Sequence, residues 1–143
     1  MRDIKFRGYA VEKMVNTQWR TDGYGVLLID YTDGTESTHL ETQNGCYEVV
    51  KESVGQYTGL KDKQGVEIYE GDIVKTSGQS LVVVVWHDNG FKYKYKFKRS
   101  YKDEGSWIET KFLEIGRETE DRRWGDKVVG NIFENPEMVE IKL

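Results

Sequence analysis

The sequence has little cysteine, little proline and no long apolar run. Each of these absences excludes particular classes of protein. The single cysteine, Cys46, excludes an internal disulfide and offers no metal-binding spacing. The longest apolar run, Leu81–Trp86, has the length of a strand and is far too short to span a membrane. The N-terminus is charged and lacks the apolar segment of a secretory signal. We therefore expect a cytoplasmic protein with no membrane partner.

The chain also lacks the short motifs of common catalytic and cofactor sites. It has no glycine-rich phosphate loop, no nucleophile elbow and no carboxylates with calcium-loop spacing. His39 and His87 are far apart, and Cys46 has no base fixed beside it in the sequence. A Cys–His nucleophile would therefore need a coincidence between two strands that no motif indicates. The sequence predicts no enzyme activity, no catalytic residues, no cofactor and no metal site.

The composition favours a small β-protein. Hydrophobic residues make up 37% of the chain, whereas aromatic residues reach 13%, and there are 15 glycines against one proline. A few large rings can fill the space between sheets, and many glycines suit many turns. We expect an all-β, mainly antiparallel fold, a small barrel-like or sandwich-like unit with one or two short helices. The length of 143 residues suits one domain. Within it we expect a variable hairpin subregion at 10–51 and a main β-unit at 52–143.

The stretch 54–76 has the densest strand and turn pattern. Residues 56–60 favour a strand, the polar turn 61–65 ends in Gly65, and residues 66–69 alternate with a period of two. Gly71 lies at the centre of a second tight turn, which should require positive φ, before the next strand begins at Ile73. The pattern predicts a three-stranded meander.

Other segments predict further strands and leave one ambiguity. Ile4 and Phe6 alternate with charged residues, which indicates a first strand with these two side chains inside. Residues 81–87 are continuously apolar, so we expect a central strand buried on both faces. Residues 107–115 fit both a helix and a strand, and the spacing of the apolar residues Ile108, Phe112 and Ile115 favours a short helix. Asn135 followed by Pro136 is typical of a helix start.

Residues 91–102 combine basic and aromatic side chains. They hold six basic residues and no acid, which leaves 15 basic against 25 acidic residues elsewhere. In a strand, Phe91, Tyr93, Tyr95 and Phe97 would share one face, and the lysines the other. A surface for single-stranded nucleic acid needs rings and ammonium groups on the same face, so a core-facing aromatic row with a solvated lysine row is favoured. The candidate nucleic-acid contacts are Lys92, Lys94, Lys96, Lys98 and Arg99.

Three blocks of the sequence together carry a family pattern. They are RDIKFR at 2–7; VGQYTGLKD at 54–62, continued by Gly65 and by EIYEGDIV at 67–74; and GNIFENPE at 130–137. In order and spacing they resemble the YopX-like family, found largely in phages and prophages. At 8–10 the family commonly has a small residue, Trp and Asp, where this chain has Gly, Tyr and Ala. The motif positions with expected structural roles are Gly55, Tyr57, Gly59, Leu60, Asp62, Gly65, Ile68, Tyr69, Gly71, Asp72, Gly130, Asn131, Asn135 and Pro136.

The resemblance implies a small, β-rich, phage-encoded protein that self-associates, and it brings no catalytic residues. We therefore expect a protein that acts by binding, as a homo-oligomer or as an adaptor for a phage or host protein. Nucleic-acid binding through residues 91–102 is the alternative. Trp19 and Trp124 are the candidate interface rings, and residues 37–41 and 139–143 are the candidate unpaired sheet edges.

Overall fold

The computed structural model of the protein describes residues 3–103, 105–115 and 125–140, and almost all of its regular structure is strand. Two short 3₁₀ helices, Lys51–Ser53 and Pro136–Val139, accompany the strands. The strands are β1 Phe6–Tyr9, β2 Trp19–Asp30, β3 Glu36–Thr42, β4 Gly45–Val49, β5 Gly55–Lys61, β6 Glu67–Tyr69, β7 Asp72–Lys75, β8 Leu81–His87, β9 Gly90–Tyr101, β10 Gly105–Glu114 and β11 Lys127–Asn131. The predicted all-β, mainly antiparallel class with short helices is confirmed.

The chain forms two compact units, residues 1–59 and 60–143, which divide within β5. In the first unit antiparallel pairing gives the strand order β4-β3-β2-β1-β5. The edge strand β4 also meets the residues that follow β1, since Val11 donates to the Glu48 carbonyl (2.9 Å) and Val50 to the Tyr9 carbonyl (2.9 Å). This sheet therefore curls back on itself, like part of a barrel.

The second unit contains a five-stranded antiparallel sheet of order β10-β9-β8-β7-β11. The strand β5 ends in this unit, where β6 is its neighbour. One face of the five-stranded sheet packs on a cluster of buried side chains. The cluster consists of Ile68, Val74, Val82, Val84, Tyr93 and Ile115, with Leu60, Phe91, Tyr95 and Val128 packed against it.

Three sequence predictions fail where tertiary pairing decides the outcome. The stretch 54–76 has the predicted strands and turns, but β6 lies in one sheet and β7 in the other, so it is not a meander. Residues 37–41 are not an edge, because β3 pairs with both β2 and β4. Ile4 is 63% exposed, because β1 begins only at Phe6.

Two strands of the second unit also differ from their predictions. Residues 107–115 are not a helix, because 105–114 form β10, which pairs with β9 over ten successive residues. The strand β8 is central as predicted, but neither of its faces is buried along its whole length. Val82 and Val84 lie in the core, whereas Leu81, Val83 and Val85 are half-buried on the opposite face.

Candidate binding surfaces

The Asp62 carboxylate braces the turn that follows β5. Its Oδ1 accepts the backbone N–H groups of Gln64 (2.8 Å) and Val66 (2.9 Å), and its Oδ2 accepts that of Val128 in β11 (3.0 Å). The residue is 7% exposed, so these bonds replace the water that a carboxylate otherwise requires. Asp62 thus ties a turn to a strand 66 positions later in the chain.

The turn between β6 and β7 depends on Gly71 and Asp72. Gly71 has φ +92°, the conformation that its position in the sequence predicts. Its N–H donates to the Val84 carbonyl (2.8 Å), and its own carbonyl accepts from Ile132 (2.9 Å). Asp72 is 1% exposed, and its Oδ2 accepts the N–H of Tyr69 (2.8 Å). Both residues therefore hold the backbone at the point where the chain changes sheets.

The third motif block is a hydrogen-bonded turn before the C-terminal 3₁₀ helix. Asn131 accepts the Glu134 N–H with Oδ1 (2.8 Å) and donates from Nδ2 to the Glu134 carboxylate (3.0 Å). Pro136 begins the helix, as predicted. The Asn135 side chain does not cap it; its Oδ1 accepts the Asn131 N–H instead (3.4 Å). The motif residues of this block thus support the backbone.

Two acidic residues of the β6–β7 region, Glu67 and Asp72, form hydrogen bonds with Tyr69. Glu67 accepts the Tyr69 hydroxyl at 3.3 Å. Burial raises the pKa of the Glu70 carboxyl. Across the described residues, no group of three or more His, Cys, Asp and Glu side chains is placed to hold a metal ion.

Cys46 and His39 come together across β3 and β4, a coincidence that the sequence did not indicate. The Cys46 Sγ lies 3.7 Å from His39 Nδ1, and His39 Nε2 lies 2.8 Å from the Ser37 hydroxyl. Their strand positions are diagonal across the ladder, because Cys46 pairs with Glu41. A hydrogen bond to Glu41 raises the pKa of the exposed Cys46 thiol. The environment thus disfavours the thiolate, the form in which cysteine acts as a nucleophile.

The lysine side chains of β9 lie on the face opposite the core, as the alternation predicts. Phe91, Tyr93 and Tyr95 pack in or against the buried cluster. Lys92 bonds to Glu114 of β10 at 2.5 Å. We call the outward sheet face that carries Lys92, Lys94, Lys96 and Lys98 the lysine face.

Neighbouring strands add rings to the lysine face, which the sequence of β9 alone does not indicate. Phe112 of β10 pairs with Lys94, and Val85, two residues before His87 in β8, pairs with Lys92. The His87 and Phe112 rings stack with centroids 3.7 Å apart and planes 4° apart. Rings and ammonium groups therefore do share one face. Alternation separates rings from ammonium groups within β9, but the pairing of β9 with β8 and β10 brings the two kinds of side chain onto one face of the sheet.

Arg99 is not part of the lysine face. It occupies the other phase of the alternation, and its Nε lies 3.0 Å from the Glu109 carboxylate. Its guanidinium also lies 5.1 Å from the centroid of the Phe97 ring. We therefore separate Arg99 from the four lysines among the candidate nucleic-acid contacts.

A second candidate surface is the outer half of β2 in the first unit. Leu27 is 48% exposed and Leu28 61% exposed, although the two point to opposite faces of the sheet. Tyr24 is 62% exposed. A strand of a two-faced sheet usually turns apolar side chains to one face only. We call Tyr24, Leu27 and Leu28 the β2 patch.

Of the two candidate interface tryptophans, Trp19 already contacts its own unit. It is half-buried at the start of β2, its ring meets Tyr9 edge to face at 5.4 Å, and the Arg7 guanidinium lies 4.7 Å from its centroid. Trp124 lies outside the described residues.

These features define an all-β protein of two antiparallel sheets, in which several motif residues, among them Asp62, Gly71 and Asn131, brace turns. The chain belongs to the family described as YopX protein, whose model matches residues 5–140. The fold is similar to the crystal structure of protein EF1440 from Enterococcus faecalis, with 23% identity, a TM-score of 0.51 and coverage of 98% of this chain and 100% of that one. A second similar structure is protein yopX from Bacillus subtilis, at 16% identity and a TM-score of 0.45, with complete coverage of both chains.

No curated protein matches the chain. Within the residues that the structure describes, no helix is long and apolar enough to cross a membrane.

Proposed function

We propose that this protein acts by binding and that its first partner is a second copy of itself, held through the β2 patch. The observation that carries the proposal is the exposure of Leu27 and Leu28 on opposite faces of one strand. Covering such side chains contributes roughly 25 cal/mol per Å² of apolar area, so an apolar partner is strongly favoured over water.

Charge supports a second copy as that partner. Residues 91–102 hold six basic residues and no acid, and the rest of the chain has more acidic than basic residues. Opposite regions of two copies would attract, although exposed ion pairs contribute only about 0–1 kcal/mol each. Apolar contact must therefore supply most of the interface energy. A phage or host protein that covers the same patch would make the chain an adaptor.

Sedimentation velocity at micromolar concentration tests self-association. We expect the parent protein to sediment as a dimer or larger species, and Leu27→Glu/Leu28→Glu to sediment as a monomer. Both side chains are exposed, so the variant should keep the parent's circular dichroism spectrum. The matched control is Val11→Glu/Val15→Glu, at positions 55% and 100% exposed outside the patch, which should leave the assembly intact. A parent that stays monomeric rejects the proposal, and an oligomer that survives the Leu27/Leu28 change rejects this interface.

Binding of single-stranded nucleic acid is a second candidate function, favoured by the His87–Phe112 stack on the lysine face. Lys94, Lys96 and Lys98 have no ion-pair partner among the described residues, so their ammonium groups are free to meet phosphates. Phe112 is 39% exposed and offers a ring on which a base can stack. Such stacking contributes roughly 1–3 kcal/mol per base.

Fluorescence anisotropy with a labelled oligo(dT) tests this second candidate. We expect Phe112→Ala to weaken binding by about tenfold or more, which follows from the stacking term. Lys94→Glu/Lys98→Glu should weaken it further and reduce the salt dependence by about two phosphate contacts. Lys63→Glu/Lys111→Glu makes the same charge change outside the lysine face, because Lys63 lies in the turn after β5 and Lys111 pairs with Tyr95 on the other face of the sheet, and it should have a smaller effect. If the two double variants lose the same amount of affinity for oligo(dT), binding reflects only nonspecific electrostatic attraction and not the lysine face.

We also propose a cytoplasmic location and a phage or prophage source. The exposed free thiol of Cys46 suits a reducing compartment. The three sequence blocks shared with the family support the source. Fractionation of host cells checks the location, and recovery of the protein outside the cytoplasmic fraction would contradict it.

A further inference from the structure

A groove of about 440 Å³ lies on the outward face of the five-stranded sheet, beside the C-terminal 3₁₀ helix. Its volume falls within the range of roughly 300–1,000 Å³ that is typical of small-ligand sites. Most of the lining is aliphatic. The apolar residues that line it are Leu81, Val83, Val85, Ile132, Met138 and Val139, and the aromatic residue Tyr95 also lines it.

Both sides of the groove are set by the fold. The alternation of β8 places Val82 and Val84 in the core, so the side chains between and beside them must face outward. The opposite wall follows the Asn131 turn, in which the Asn135 N–H donates to the Asn131 carbonyl at 2.8 Å. The turn residues thus hold the helix beside the sheet, and the groove is formed before any ligand arrives.

The charged groups along the groove favour an anion. Lys94 and Lys96 line it, and neither has an ion-pair partner among the described residues. Lys92, the neighbour in the same row, is already paired with Glu114. Among the described residues of the lining, Glu140 is the one carboxylate, so two ammonium groups there stand against one negative charge. The complementary ligand joins an apolar body to an anionic head.

We propose that this groove binds a fatty acid of medium chain length, with its carboxylate at Lys94 and Lys96 and its chain along the outer face of β8. The aromatic residue of the lining, Tyr95, packs against the buried cluster, so the remaining apolar side chains favour an aliphatic body over a nucleobase, which binds best on exposed aromatic rings. The lining contains no residue of the β2 patch, and it shares Lys94 and Lys96 with the nucleic-acid candidate.

Isothermal titration calorimetry with four probes below their micelle concentrations tests the site. We expect decanoate to bind more tightly than decanol, and decanol more tightly than decylammonium. Octanoate should bind more weakly than decanoate, by up to about fourfold for each methylene lost, the factor that burial of one CH₂ supplies. Equal affinity for decanoate and decylammonium would overturn the assignment of the head group, and a lack of binding by every probe would overturn the site.

Two variants separate the contribution of the ligand's carboxylate head group from that of its alkyl chain. Lys94→Gln/Lys96→Gln should weaken decanoate by about tenfold, consistent with two exposed charge contacts, and leave decanol unchanged. Val83→Glu places a charge on the groove floor and should abolish binding of both. Lys98→Gln lies beyond the lining of the groove and serves as the matched control, with parental affinity. A control that weakens decanoate as much as the double variant would overturn the proposal.

An oligo(dT) competition separates this inference from the nucleic-acid candidate. If decanoate binds with the predicted selectivity, the groove proposal stands whether or not oligo(dT) binds. If oligo(dT) binds through Lys94 and Lys96 while decanoate does not bind at all, the groove proposal fails and the nucleic-acid candidate survives.

Discussion

Gly71→Val is expected to destabilise the protein by about 2–4 kcal/mol and to lower its melting temperature by roughly 5–12 °C. Gly71 has φ +92°, which a β-branched residue adopts only with strain. The backbone cannot rotate away freely, because its N–H is bonded to the Val84 carbonyl and its carbonyl accepts from Ile132. Relief of the strain would therefore break hydrogen bonds to two other parts of the second unit.

Thermal unfolding followed by circular dichroism measures this effect, and two variants control for it. Gly25→Val makes the same change in a strand where an added Cβ meets nothing within 4 Å, so its melting temperature should stay close to the parent's. Gly71→Asn should lie between the two, since asparagine tolerates positive φ better than valine does. A Gly71→Val protein that melts with the parent would show that the turn does not need this conformation.

Asp62→Ala should be the second severe change, with a loss of about 3–5 kcal/mol in the free energy of unfolding. The substitution removes the acceptor of three backbone N–H groups, on Gln64, Val66 and Val128, in a site that is 7% exposed. Each N–H left without a partner carries its own desolvation cost of about 1–3 kcal/mol, in part relieved by water that enters the site.

Chemical denaturation measures this loss, and Asp33 supplies the control. Asp33 also braces a turn, since its Oδ1 accepts the Thr35 N–H at 2.9 Å, but it lies at the surface, where water can replace it. Asp33→Ala should therefore cost much less than Asp62→Ala. The loss of stability for Asp62→Asn should lie between those of the two alanine variants. The amide oxygen can still accept a hydrogen bond, whereas the amide N–H₂ group would face a backbone N–H donor. Similar midpoints for the two alanine variants would contradict the bracing role.

The two candidate functions can be separated by mutation because their surfaces lie in different units of the chain. The β2 patch belongs to the first unit, and the lysine face belongs to the second. Leu27→Glu/Leu28→Glu should abolish assembly without a direct effect on Lys94 or Phe112. If that variant also loses oligo(dT) binding, nucleic-acid binding depends on assembly, as it does where several copies track one strand.

Local sequence pattern alone determined the fold class, the tight turns of residues 54–76 and the two faces of β9. The place of Gly71 between two strand patterns predicted a positive φ, and in the structure its φ is +92°. The alternation of residues 91–98 placed aromatic side chains toward the core, and Tyr93 is buried there. The family pattern at 54–74 and 130–137 likewise depends on residue type and spacing, which need no tertiary information.

Tertiary structure decided which strands meet, and so which side chains share a surface. The strand β10 pairs with β9 over ten residues, and this pairing overrides the helical spacing of Ile108, Phe112 and Ile115. The same pairing brings Phe112 to the lysine face, and the pairing of β3 with β4 brings Cys46 to His39. These contacts join residues from different strands, whose register depends on the packing of the whole sheet. A pattern within one strand carries no information on its neighbour, so the place of Phe112 on the lysine face and the approach of Cys46 to His39 were visible only in the folded chain.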